Sequence, residues 1–118
     1  MDVAYGQTVR LMGTVAEYYG LPEIATVARV RTCPSAGGVT PTSVTLPVTA
    51  LNDWERWEGM LVSLPQTLYV TDNYNLGLYG ELELSVVSRL YAPTQVALPG
   101  SAAIVQNDLN DRSRIQLD

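Results

Sequence analysis

From Val9 onward the chain sorts its side chains at every second step: Val9, Leu11, Gly13, Val15 and Glu17 take one side, and Arg10, Met12, Thr14, Ala16 and Tyr18 the other. A helix, with its period of 3.6, would mix the two sets, whereas a strand keeps them apart. A glycine inside such a run predicts a bulge or a tight bend, here at Gly13. Gly20, Leu21 and Pro22 predict the turn that follows, and Glu23 to Thr32 the returning strand, with Arg29 and Arg31 on one face. A hairpin over residues 8–32 therefore opens the fold.

Beyond it the composition changes. Residues 33–48 are rich in Pro, Gly, Ser and Thr and read as a loop with one short strand candidate, Ser43–Leu46. Residues 49–58 predict a short helix, with Thr49 or Asn52 as cap and Gly59 as stop. Strands are expected through 59–88: Met60–Leu64 up to Pro65, Thr67–Thr71 up to the turn Asp72–Gly77, then Gly80–Val87. In the last of these, Glu81, Glu83 and Ser85 alternate with Leu82, Leu84 and Val86. The extension 89–118 mixes strand-like and turn-like pieces, with Asn107–Asp111 as a surface turn and Arg114–Leu117 as a final strand. The expected class is all-β with one short helix, forming a single domain over 1–118. A small OB-fold-like β-barrel suits the strand count and the glycine-marked bends, with its strand order open to rearrangement. A sandwich is the alternative, because strand counts do not separate the two.

Composition narrows the chemistry. A chain of 118 residues can bury roughly two-thirds of its unfolded surface. Its apolar residues lie in short runs, far below the ~18 needed for a membrane span, so a soluble domain without a membrane partner is expected. The first residues show no basic and apolar leader, hence no export signal. Net charge is −5, and all seven basic residues are arginine. A duplex binder built on bulk positive charge is therefore not expected. The absence of histidine removes the commonest general base and the commonest zinc ligand. Cys33 stands alone, which leaves neither an internal disulfide nor a multi-cysteine metal site. No catalytic residue, metal or cofactor is expected in this segment, and the state expected is a monomer.

The aromatic set is skewed: seven tyrosines and two tryptophans with no phenylalanine. Tyr and Trp carry a polar handle and tolerate half-exposed positions. Bases of single strands stack on such rings at about 1–3 kcal/mol each, with arginine adding phosphate attraction and cation–π contact. The candidate nucleic-acid-binding residues are Arg56, Tyr69, Tyr74, Tyr79, Arg89 and Tyr91. The competing assignment has Trp57 and about half the tyrosines plugging the barrel ends. Glu81 and Glu83 share a face at a spacing that a metal or an acid/base pair could use, but alternation with leucines already explains them as a solvated face. Asp72–Glu83 has the span of a calcium loop, yet Tyr74 and Leu76 occupy positions where oxygen ligands belong. The same-face pairs Arg29/Arg31 and Arg112/Arg114 could touch phosphates, or could form surface ion pairs with the acids.

The run Trp54–Ser85 (WERWEGMLVSLPQTLYVTDNYNLGLYGELELS), with Leu90–Val96 (LYAPTQV) after it, resembles the non-catalytic middle region of secreted bacterial endonuclease/exonuclease proteins of the ExeM/NucH type. Val9–Ile24 is similar to the end of their YhcR-like OB-fold module. The chain departs from that pattern at Gly6-Gln7, where the family has Gly-Asp, and near Leu78, where it has arginine or a similar residue. The resemblance implies an OB-like accessory domain of a metal-dependent extracellular nuclease, a hydrolase whose acidic and histidine residues lie in a separate catalytic domain. It implies single-stranded DNA or RNA and neighbouring domains of the same parent chain as partners, and an extracellular or periplasmic location. The alternatives are a structural spacer and a carbohydrate-binding β-module.

Overall fold

The computed structural model describes residues 3–4, 6–34 and 37–118; residues 35 and 36 of the expected loop lie outside them. Strand is the main regular structure, with short helices. Among the described residues the strands fall into separate sheets of order β1-β2, β3-β4 and β5-β6-β7, and no closed barrel forms. No described helix is long and apolar enough to cross a membrane. Contacts divide the chain into two units, Met1–Thr42 with Trp57–Leu61, and Ser43–Arg56 with Val62–Asp118.

The first unit is the hairpin of β1 (Val9–Tyr18) and β2 (Leu21–Thr32). Its turn is Tyr19-Gly20, both at positive φ (51° and 90°), the handedness that matches the twist of paired strands. The turn expected at Gly20–Pro22 therefore comes earlier: Leu21 and Pro22 already pair with Tyr18 and Glu17. The expected irregularity at Gly13 is present, since the register runs Met12↔Arg29 and then Thr14↔Ala25, setting Gly13 against Thr26–Ala28. A Cβ on Gly13 would lie 2.6 Å from Ile24 Cγ2 and 2.9 Å from the Ala25 carbonyl oxygen, so only glycine fits without a shift. No described residue of β1 or β2 is buried.

The second unit holds the core. Its fully or nearly buried side chains are Val44, Leu46, Val48 and Val86, with Ser85 and Ser113. Val44, Leu46 and Val48 come from the stretch expected to be mostly loop: β3 (Thr42–Ser43) runs into an extended segment in which every second side chain is buried. Ladder partners are improvised there. Val44 N–H donates to the Ser63 carbonyl next to β4 (Val62–Ser63), at 2.9 Å. Leu46 is paired by an amide side chain instead of a strand, its N–H reaching Gln66 Oε1 at 2.7 Å and its carbonyl accepting from Gln66 Nε2 at 2.6 Å. The Leu46-Pro47 peptide is cis. Val48 N–H donates to the Arg112 carbonyl at 2.9 Å, and Arg112 Nη1 returns a bond to Val48 O at 3.1 Å.

The helix expected at 49–58 is a 3-10 helix, Leu51–Trp57, entered through Ala50 N–H bonded to Asp53 Oδ2 at 2.9 Å. Strands β5 (Leu68–Asp72), β6 (Leu82–Val86) and β7 (Arg114–Leu117) form an antiparallel sheet, and α1 (Leu76–Tyr79) joins the first two. The extension corrects the expectation of a single short helix. It contains α2 (Pro93–Val96) and the twelve-residue α3 (Ser101–Arg112), and the supposed surface turn Asn107–Asp111 lies inside α3. Side chains four apart hold that helix: Gln106 to Asn110 at 2.9 Å, Asn107 to Asp111 at 2.8 Å, and Arg112 to Asp108 at 2.8 Å.

Candidate functional site

Register decides which side chains meet on the β5-β6-β7 sheet. Tyr69 pairs with Ser85 and Ser85 with Arg114, while Glu83 pairs with Gln116. On the opposite face Leu68, Val70, Leu82, Leu84, Ile115 and Leu117 alternate with them. Between Val70 and Asp72 the pairing slips by one residue, so Thr71 bulges out and Asp72 stays on the polar face opposite Glu83. Without that extra residue Asp72 would turn to the apolar face. The released Thr71 hydroxyl accepts the N–H of Leu90 at 2.8 Å, which ties the segment carrying Arg89 and Tyr91 to the bulge.

Three shallow clefts converge on Asp72. One, of about 140 Å³, is lined by Tyr74, Asn75, Glu81, Leu82, Glu83 and Gln116 as well as Asp72. A second, about 210 Å³, takes in Tyr91, Asn107, Asp111 and Arg114. The third places Arg89 beside Thr71, Asp72 and Asn73. The first two fall below the ~300–1,000 Å³ of pockets that enclose a drug-sized ligand and the third, about 300 Å³, sits at the lower edge of that range, so this surface suits a chain lying across it.

Tyr74 is the most exposed of the candidate rings, at 90%. Its backbone is nonetheless fixed, because Asp72 Oδ1 accepts the Tyr74 N–H at 2.7 Å in an Asx turn. Asn75 continues the brace, donating from Nδ2 to Glu81 Oε2 at 2.8 Å. Tyr91 is held from behind, its carbonyl accepting from Asn110 Nδ2 at 3.0 Å. Neither ring, nor Tyr69 or Tyr79, has an aromatic partner among the described residues; the ring pair there is Tyr18 with Tyr19 in the hairpin turn.

Of the six sequence-derived residues, the structure gathers Tyr74, Arg89 and Tyr91 around Asp72. Tyr69 is on the same sheet face but lines none of these clefts, and neither does Tyr79, the last residue of α1. Arg56 closes the 3-10 helix and pairs with Asp53 at 3.8 Å. The other expected arginine pair separates in role: Arg112 bridges Asp108, and Arg114 bridges Glu83 at 3.0 Å and Asp111 at 2.7 Å. Both are engaged inside the fold.

Sequence reasoning did not single out Asp72, Asn75, Gln116 and Trp54 as site residues. Trp54 lines a further cleft with Glu83, Asp111, Arg114 and Gln116. Residues that far apart in the chain meet only through strand register. The resulting surface is acidic around the rings, which favours groups that donate hydrogen bonds, such as base amino groups or sugar hydroxyls, and repels phosphate. Among the described residues no three His, Cys, Asp or Glu side chains gather as a metal site would require. Comparison with protein-family models, with curated proteins and with solved structures finds no match.

Proposed function

We propose that this chain is a non-catalytic, OB-like accessory domain that holds single-stranded or extended DNA or RNA for the catalytic domain of a larger secreted nuclease. The observation that carries the reading is Tyr74: an almost fully exposed ring on a backbone locked by Asp72, which also lines the cleft of Arg89, an arginine with no ion pair among the described residues. An exposed, unstacked ring on a fixed loop offers a face to a base at small entropic cost, and the neighbouring guanidinium takes the phosphate that the carboxylates repel. Asp72 and Glu81 accept hydrogen bonds from base amino groups. The family resemblance supports the parent enzyme, a metal-dependent endonuclease/exonuclease, and its extracellular or periplasmic location.

The acidic lining also favours a second reading, a carbohydrate-binding β-module. Tyr74 with Asp72, Asn75, Glu81 and Gln116 combines a stacking ring with acceptors for sugar hydroxyls. Titration of the intrinsic tryptophan emission separates the two, because Trp54 lines an adjoining cleft. A saturable change with single-stranded oligonucleotide and none with oligosaccharides supports the nucleic-acid reading, and the reverse pattern supports the carbohydrate one. Silence toward both leaves the chain a structural spacer. The oligonucleotide recovered after incubation with magnesium should be intact.

A further inference from the structure

The hairpin carries a feature that the aromatic site does not use. Arg10 lies directly opposite Arg31, and Met12 directly opposite Arg29, so three arginines share one face of a two-stranded ribbon. Directly opposed residues have their Cβ atoms about 4.5–5.5 Å apart, and like charges so placed destabilise the pair. Arg29 and Arg31, two residues apart on one strand, add a second separation of roughly 7 Å along the ribbon. All three are exposed. Of the other four arginines, Arg56, Arg112 and Arg114 each lie within 4 Å of a carboxylate, and Arg89 belongs to the aromatic site. Arg10, Arg29 and Arg31 have no such partner among the described residues, although the chain has twelve acids available.

Carboxylates of the hairpin sit elsewhere. Glu23 pairs with Ala16 toward the turn, and Glu17 pairs with Pro22 on the opposite face. In a protein of net charge −5, a cationic cluster facing solvent at the hairpin base, with no ion pair to a described carboxylate, is a surface complementary to a polyanion. Guanidinium groups bind phosphate oxygens in a bidentate fork, and a ribbon presenting three of them at two spacings matches successive phosphates of one strand.

We infer that Arg10, Arg29 and Arg31 form a second nucleic-acid contact, a ribbon that grips the phosphodiester backbone. The inference rests on the nucleic-acid reading above but concerns residues apart from Tyr74 and Arg89. It explains why the Arg10–Arg31 opposition is kept: the repulsion is relieved when a phosphate lies between them.

The test uses the whole 118-residue chain and measures anisotropy of a labelled single-stranded oligonucleotide, of the duplex of the same sequence, and of heparin, each over a range of salt. Replacing all three residues (Arg10→Gln, Arg29→Gln, Arg31→Gln) should weaken single-strand binding and flatten the salt slope by about two, at roughly 0.7 for each phosphate no longer neutralised. The gap in affinity between wild type and variant then shrinks by roughly an order of magnitude from 0.05 to 0.2 M salt. Arg10→Gln alone should leave the melting temperature unchanged or raise it, because it removes a repulsion. Equal losses on single strand and duplex place the grip on the backbone in either form, and a loss on the single strand alone restricts it to extended chains; both support the ribbon. Wild type that binds with an unchanged slope in the triple variant overturns this inference and leaves the aromatic site standing. A chain that binds no oligonucleotide overturns both. Loss of heparin binding equal to the loss on oligonucleotide, or arginine-dependent self-association in sedimentation, overturns the phosphodiester assignment.

Discussion

Asp72 serves two masters at the residue scale. Its side chain stands opposite Glu83 on the polar sheet face, and its Oδ1 fixes the backbone of Tyr74. The ring of Tyr74 itself contributes little to folding, since it is 90% exposed. Tyr74→Ala should therefore weaken single-strand binding by about 1–3 kcal/mol while leaving the denaturation midpoint in place. Asp72→Asn is the matching control, for asparagine keeps the oxygen that accepts the Tyr74 N–H and relieves the repulsion from Glu83 opposite, so its melting temperature should match wild type or rise. A destabilised Tyr74→Ala protein with unchanged intrinsic affinity would sink the role given to this loop. Tyr74, Arg89 and Tyr91 can be named as candidates from the sequence because their side-chain types suit stacking and phosphate attraction. Asp72, Gln116 and Trp54 cannot, because the Thr71 bulge and the β6-β7 register bring them into the site, and neither leaves a mark in residue type.

At the scale of elements, legibility follows how much of a signal is local. The β1-β2 hairpin declares itself through strict alternation, and Gly13 marks its bulge. Gly13→Val should disrupt the cross-strand pairing around Thr14 and Ala25, because the new atoms would enter the space of Ile24 Cγ2 and of backbone that cannot swing aside; disappearance of the Thr14–Ala25 cross-strand proton signals in NMR spectra checks this. The core segment Val44–Val48 has the same alternation, but Thr45 and Pro47 mimic a loop. Its pairing comes from Gln66 and Arg112, many residues away. Helix α3 was hidden for another reason. Asn107, Asp108, Asn110 and Asp111 favour turns when read singly, yet at i,i+4 spacing each bonds to a side chain one helical turn away. Scanning for polar pairs four apart would have found it. Gln66→Ala should cost about 1–3 kcal/mol in chemical denaturation, the penalty for leaving the backbone donor and acceptor of buried Leu46 unpaired.

For the whole molecule, burial is distributed unevenly, and local stability follows burial. The apolar side chains with almost no exposure, Val44, Leu46, Val48 and Val86, all belong to the second unit. Their amides are also committed, to Ser63 O, Gln66 Oε1, Arg112 O and Ser113 O. Opening any of these exposes apolar surface and breaks a hydrogen bond together, so exchange there needs a large unfolding. The hairpin differs: its amides pair across a single ladder, none of its described residues is buried, and a two-stranded ribbon on its own is marginal in water. Amide hydrogen exchange on the intact chain should therefore show Val44, Leu46, Val48 and Val86 exchanging orders of magnitude more slowly than the paired amides of β1 and β2. Equal protection of hairpin and core at low protein concentration would overturn this ordering. Hairpin protection that rises with protein concentration would instead show that a second copy covers the ribbon's apolar face, where Leu11, Val15 and Ile24 stand exposed.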